Sequence, residues 1–107
     1  MDMLYYIYIG SNRVTIDHLS KITGGMFMAV SSCNKAAKVI DGIRERYNTS
    51  ILYEESTPQK DSQNITFLHK RFPRVYIILI TEGLQKEHRK LYLQAGVNNT
   101  LSPCLLY

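Results

Sequence analysis

The sequence has little cysteine, little net charge and no long apolar run, and each shortage removes a class of protein. Two cysteines, Cys33 and Cys104, in 107 residues cannot build a disulfide scaffold, which points to a reducing, cytoplasmic compartment. No apolar stretch approaches the roughly 18 residues of a membrane span. The opening Met1-Asp2-Met3-Leu4 lacks the basic start and small-residue cleavage site of a signal peptide. No membrane contact is expected from this segment. Thirteen basic against nine acidic residues give a net charge of +4 and a pI near 9.1, which permits an acidic partner without demanding one. Gly-x-Gly-x-x-Gly and Walker patterns are absent, so nothing suggests a nucleotide. His18, His69 and His88 fall on separate elements without ligand spacing to either cysteine, and neither a metal nor a cofactor is expected. What is present is 45% apolar and 21% charged residues, ordinary for one small globular domain over residues 1–107.

Five runs of strand length alternate with amphipathic stretches. Leu4 to Ile9 is rich in β-branched and aromatic residues and stops at Gly10-Ser11-Asn12. Met26 to Val30 follows the helix-ending pair Gly24-Gly25, and Ser50 to Tyr53 breaks off at Glu54-Glu55. Val75 to Ile80 has no polar alternation, the pattern of a strand buried on both faces in a parallel sheet. Asn99 to Ser102 is a weak fifth run. Between them, Val14, Leu19 and Ile22 mark one helix face, with Ser11 or Asn12 as cap. Ala36, Ile40, Ile43 and Tyr47 mark a second, with Ser31 or Ser32 as cap. Ile65, Leu68 and Phe72 mark a third that ends at Pro73, and Leu84, His88, Leu91 and Ala95 a fourth closed by Gly96. Strand-helix alternation repeated four times predicts an α/β domain, an open sheet with helices on both faces. Ligands of such sheets collect at the carboxyl ends of the strands. Here those ends are Gly10 to Asn12, Glu54 to Pro58, Thr81 to Gly83, and Ser102-Pro103.

Those loops carry a resemblance. Glu54 to Ser62 resembles the segment of bacterial response-regulator receiver domains in which a phospho-acceptor aspartate precedes a proline by four residues; Pro58 keeps that spacing, and Asp61-Ser62 stands where the family has Asp-Gly. Ile80-Thr81-Glu82-Gly83 is similar to the end of the receiver's fourth strand, whose Thr or Ser contacts the phosphoryl group. Ala95 to Pro103 is similar to the family's Ala-Gly-Ala-Asp-Asp-Tyr-Leu-x-Lys-Pro ending. The resemblance runs from Leu4 to about Cys104. It implies a flavodoxin-like, CheY-like three-layer fold with a parallel five-stranded sheet in the order 2-1-3-4-5. The ending Pro103 to Tyr107 reads as the start of a fifth helix that is missing or truncated, as in a domain cut from a longer chain.

Departures from the family pattern fall on the reaction centre. Phosphoryl transfer to a carboxylate needs a divalent cation held by acidic residues, and Gly10 and Ser11 stand in the acidic positions. The acceptor position holds Glu54, one methylene longer than aspartate, which misplaces the attacking oxygen. The family lysine is absent: its place is Ser102 or Pro103. Of the reacting groups only Thr81 remains. The expectation is a pseudo-receiver, a non-enzymatic signalling domain with a vestigial pocket of Gly10, Ser11, Thr81 and Ser102 around the vestigial acceptor position Glu54. Plainer readings stand beside these: Glu54 and Glu55 as solvated loop acids, Thr81 and Ser11 or Asn12 as helix caps. Two further functions are weighed, a small-ligand sensor using the same pocket and an atypical phospho-accepting receiver.

The partner expected is protein, either a second copy or an attached output module. The resemblance implies pairing through the fourth helix, fifth strand and fifth helix, which places an interaction face at Leu84, Glu87, Leu91, Thr100, Leu105, Leu106 and Tyr107. Basic segments around His69-Lys70-Arg71 and His88-Arg89-Lys90 fall on helices with no interleaved aromatics, so no direct nucleic-acid contact is expected.

Overall fold

Strand β1 (Met3–Ile9) forms where the sequence alternates aromatic and β-branched residues, and its buried end is Ile7, Tyr8 and Ile9. The structure, a computed structural model, describes residues 3–43 and 46–102. Helix α1 (Arg13–Ile22) starts at Asn12, whose side chain accepts from the Val14 and Thr15 amides. The turn at Gly24 and Gly25, both with positive φ, leads into β2 (Phe27–Val30). Helix α2 (Cys33–Ile43) is capped by Ser32, which accepts from the Lys35 amide at 3.2 Å. Then follow β3 (Tyr47–Glu54), α3 (Pro58–Arg71) with proline in its first turn, β4 (Tyr76–Ile80), α4 (Lys86–Ala95) and β5 (Asn99–Leu101). Gly96 closes α4 at φ 121°.

All neighbouring strands pair in parallel, in the order β2-β1-β3-β4-β5. The register aligns Ile7, Ile51 and Ile77 on one face and Tyr8, Leu52 and Ile78 on the other. The first face packs on Ala36 and Ile40 of α2, Ile65 and Leu68 of α3, and Tyr92 and Ala95 of α4. The second packs on Leu19 and Ile16 of α1. β4 lies inside the sheet between these layers, which is why its sequence is an unbroken apolar run; β3, also inside, is apolar from Ile51 to Tyr53 and polar at Asn48, Thr49 and Ser50.

Three helix expectations are corrected. Val14 and Ile22 are exposed, and α1 faces the sheet through Thr15 and Leu19 instead; a buried threonine can pack where a shorter side chain is needed. Tyr47 opens β3 and does not extend the α2 stripe. In α4 the buried positions are Tyr92 and Ala95, and Leu91 is half-buried. Pro103, Cys104, Leu105, Leu106 and Tyr107, including the expectation of a truncated fifth helix, lie outside the described residues.

Candidate functional site

The carboxyl ends of β1, β3 and β4 converge on two clefts that share Glu54 and Glu55. The larger, about 610 Å³, runs between α2 and α3 past Gly10, Ser11, Ser32, Lys60 and Asp61. The smaller, about 310 Å³, adds Asn12, Thr81 and Glu82. Of the residues singled out in the sequence, Glu54 lines both clefts, Gly10 and Ser11 only the larger and Thr81 only the smaller. Ser102 lines neither cleft.

The space beside Gly10 is already filled. A Cβ on Gly10 would lie 2.5 Å from the Tyr8 hydroxyl oxygen and 2.8 Å from Glu54 Oε2. The Tyr8 ring is fully buried, and its hydroxyl accepts from the Asn12 amide at 3.2 Å, which pins it at the start of α1. A side chain at position 10 therefore collides with a fixed phenol. An acidic residue could not simply be placed there to recruit a cation.

Glu54 does not meet Thr81. The Thr81 hydroxyl donates instead to Glu55 Oε1 at 2.7 Å, and the Glu55 amide donates to the Ile80 carbonyl at 2.9 Å. Reading both acids as solvated loop residues is corrected for Glu55: its backbone and its carboxylate both bridge β3 to the end of β4. The strand alternation explains the exchange, because adjacent residues leave a strand end toward opposite sides.

Asp61, which the sequence placed only where the family has Asp-Gly, has a role that was not foreseen. It is 2% exposed, and its carboxylate accepts from the Tyr53 hydroxyl at 3.0 Å, the Ser56 amide at 2.7 Å and the Tyr92 hydroxyl at 3.2 Å. Asn64 Nδ2 donates to the Tyr53 oxygen at 3.0 Å. A buried carboxylate is tolerable only when its lone pairs are met in this way. Burial raises the Tyr92 hydroxyl above its ordinary range, and hydrogen bonding to Glu55 and proximity to Asp61 push it further. Burial likewise raises Tyr53. Burial and then the Asp61 charge raise the Cys33 thiol to about 11, so Cys33 is a protonated core residue and no nucleophile.

Chemically this is a closed site. Thr81 is engaged by Glu55, Asp61 by three donors, and the position beside Gly10 by Tyr8. Among the described residues no three His, Cys, Asp or Glu side chains group as metal ligands.

No family model matches the sequence, and no curated protein matches it. Solved structures do. A CheY-like protein from Pseudomonas aeruginosa superposes with a TM-score of 0.77 at 10% identity, covering 96% of this chain and 88% of that one. The fold is that of CheY-like receiver domains. A two-component response regulator from Legionella pneumophila gives a TM-score of 0.74 at 13% identity over 95% of this chain and 88% of its own. The receiver domain of a Pseudomonas aeruginosa sensor histidine kinase, with magnesium coordinated in its active-site cleft, gives 0.62 at 22% identity over 96% and 86%. The CheY-like strand order agrees with the expectation from sequence.

The expected interaction face is divided. Leu84 and Thr100 line a groove of about 190 Å³ between α4 and β5, together with the exposed Leu93. Glu87 is exposed and Leu91 half-buried, and neither lines that groove. Leu93 was missed because it lies off the stripe through Leu84 and Ala95. No helix among the described residues is long and apolar enough to cross a membrane.

Proposed function

We propose that this chain is a non-enzymatic, receiver-like signalling domain that takes no phosphoryl group and acts as a docking module in the cytoplasm. The observation that carries the reading is the bond from Thr81 to Glu55. In a switching receiver an arriving phosphoryl group draws the threonine inward and selects one arrangement of the fourth helix. Here a carboxylate of the chain already holds Thr81, and the neighbouring Asp61 cluster reaches α4 through Tyr92. One arrangement is therefore permanently favoured, since an equilibrium shifts only through differential binding. Glu55, the residue after the vestigial acceptor position Glu54, supplies that carboxylate. The partner is a protein, a second copy or an output module, meeting the α4–β5 side at Leu84, Leu93 and Thr100.

Incubation with acetyl phosphate and Mg²⁺, followed by intact-mass measurement, tests the reading. No added phosphoryl group is expected; a single adduct mapped to Glu54, Glu55 or Asp61 overturns it. Sedimentation across a concentration series reports self-association, and Leu93→Asp is expected to abolish any that is found.

A further inference from the structure

We infer that the opposite end of the sheet holds a binding site for an oxyanion carried on a flat apolar body. A cleft of about 470 Å³ opens there between the start of β3 and the ends of α2 and α3. It lies about 20 Å from the Glu54–Thr81 site, at ~3.3 Å per residue along β3. The inference does not depend on the proposed function.

Its walls divide into charge and ring. Arg71 pairs with Asp41 and sits 5.3 Å above the Phe72 ring, so its guanidinium is held in place with its charge largely answered. His69, Lys70 and Arg71 complete the last turn of α3, where cations offset the helix dipole. Arg74 lies beyond the helix and lines the same cleft, with no ion pair among the described residues. A guanidinium of this kind offers a planar fork suited to carboxylate or phosphate. Beside it the exposed Asn48 adds an amide.

A second, independent feature sits in the wall. Thr49 is 8% exposed, and its hydroxyl has no hydrogen-bond partner among the described residues. Buried polar groups left unpaired are rare and unfavourable, and each calls for an explanation. The Thr49 oxygen is shut off from solvent in the free protein, and a ligand oxygen at this cleft supplies a partner when the side chain rotates toward it. The flat body follows from the apolar wall, where Phe72 is buried and Tyr47 is held in a tilted contact with Tyr5 at 5.4 Å. The half-buried Tyr47 ring, so fixed, favours a stacked planar group, while Phe72 is buried and covered by the Arg71 guanidinium.

Amide NMR titrations with benzoate, phenyl phosphate and the neutral benzyl alcohol, at constant ionic strength, test the site. One or both anions are expected to shift Asn48, Thr49 and Val75 saturably, and the tighter of the two names carboxylate or phosphate as the source. Benzyl alcohol is expected to bind at least about tenfold more weakly. Arg74→Gln is expected to cost about tenfold in anion affinity and Lys70→Gln to cost nothing. Thr49→Val, which keeps the shape and removes the unpaired hydroxyl, is expected to raise the melting temperature of the free protein while weakening the anion. The site is overturned if neither anion shifts these amides, if benzyl alcohol binds equally, or if Lys70→Gln weakens binding as much as Arg74→Gln.

Discussion

Thr81 and Glu55 are joined by a 2.7 Å hydrogen bond from hydroxyl to carboxylate, across the gap between the ends of β4 and β3. A partly buried bond of this charge-assisted kind contributes on the order of 1–2 kcal/mol. Its importance is positional, because the Glu55 carboxylate lies close to the Tyr92 hydroxyl on α4, which donates to Asp61 at 3.2 Å.

Glu55→Gln or Thr81→Ala is therefore expected to lower stability by about 1 kcal/mol and to spread amide shifts into α4 around Tyr92. Glu54→Gln is expected to disturb only the neighbourhood of Tyr8 and Gly10, where its carboxylate lies. Equal α4 shifts from the Glu54 and Glu55 variants would assign the bridge wrongly.

Asp61 gives a sterner case. Replacing it with alanine strands the Tyr53 hydroxyl, the Tyr92 hydroxyl and the Ser56 amide together. Stranding buried donors costs more than the net worth of their bonds, so a loss of about 3 kcal/mol or more is expected in urea unfolding. Asp61→Asn keeps one acceptor and should lose roughly half as much. Indistinguishable midpoints for Asp61→Ala and the parent would remove this cluster from the account.

How much of this was legible beforehand differs by kind of residue. Val75 to Ile80, Ile40 and Leu68 announced themselves because burial there is periodic or unbroken along the chain. Thr15 and Tyr92 did not, since a polar atom hides their apolar role; the stripes drawn through Val14 and Leu91 went to neighbouring positions. The meeting of the strand-end loops followed from topology, but that Glu55 and not Glu54 bonds Thr81 depends on which side each leaves β3. The tie from Asp61 to α4 could not be found locally, although Tyr53 and Ser56 lie near it in the chain. Its partner Tyr92 is 31 residues away, and only the packing of α3 on α4 brings them together.

The filled space beside Gly10 yields a test by reversion. Gly10→Asp places a Cβ 2.5–2.6 Å from the Tyr8 phenol, and overpacking of this sort costs about 1–3 kcal/mol. Glu54 Oε2 at 2.8 Å adds like-charge repulsion. Tyr8→Leu also destabilises, by leaving a cavity. Combined, the two substitutions should cost at least 1 kcal/mol less than their sum, because each relieves the other. Additive losses would show that Tyr8 does not occupy that space. Gly10→Asp alone is not expected to confer Mg²⁺ binding, which calorimetry checks directly.

Alkaline pH probes the buried cluster from another side. The Cys33 thiol moves from an ordinary value of 9.0 to about 11, first through burial and then through the Asp61 charge. Its folded pKa exceeds its unfolded one, so between pH 9 and 11 the unfolded chain has released the proton while the folded chain retains it. Stability contributed by the protonated thiol is complete below pH 9 and falls as pH rises through that window. The loss is on the order of 2–3 kcal/mol in all. Tyr53 and Tyr92, also raised by burial, extend the decline above pH 10, their ordinary value. Urea midpoints should thus stay level to about pH 8.5 and then drop, and Cys33→Ala should flatten the segment between 9 and 11 while leaving the steeper fall above it. In a Cys104→Ser background, Cys33 should also react slowly with a disulfide reagent at pH 8, because little thiolate is present. Curves for Cys33→Ala and its parent that run parallel from pH 9 to 11 would show that the thiol ionises no differently in the folded chain.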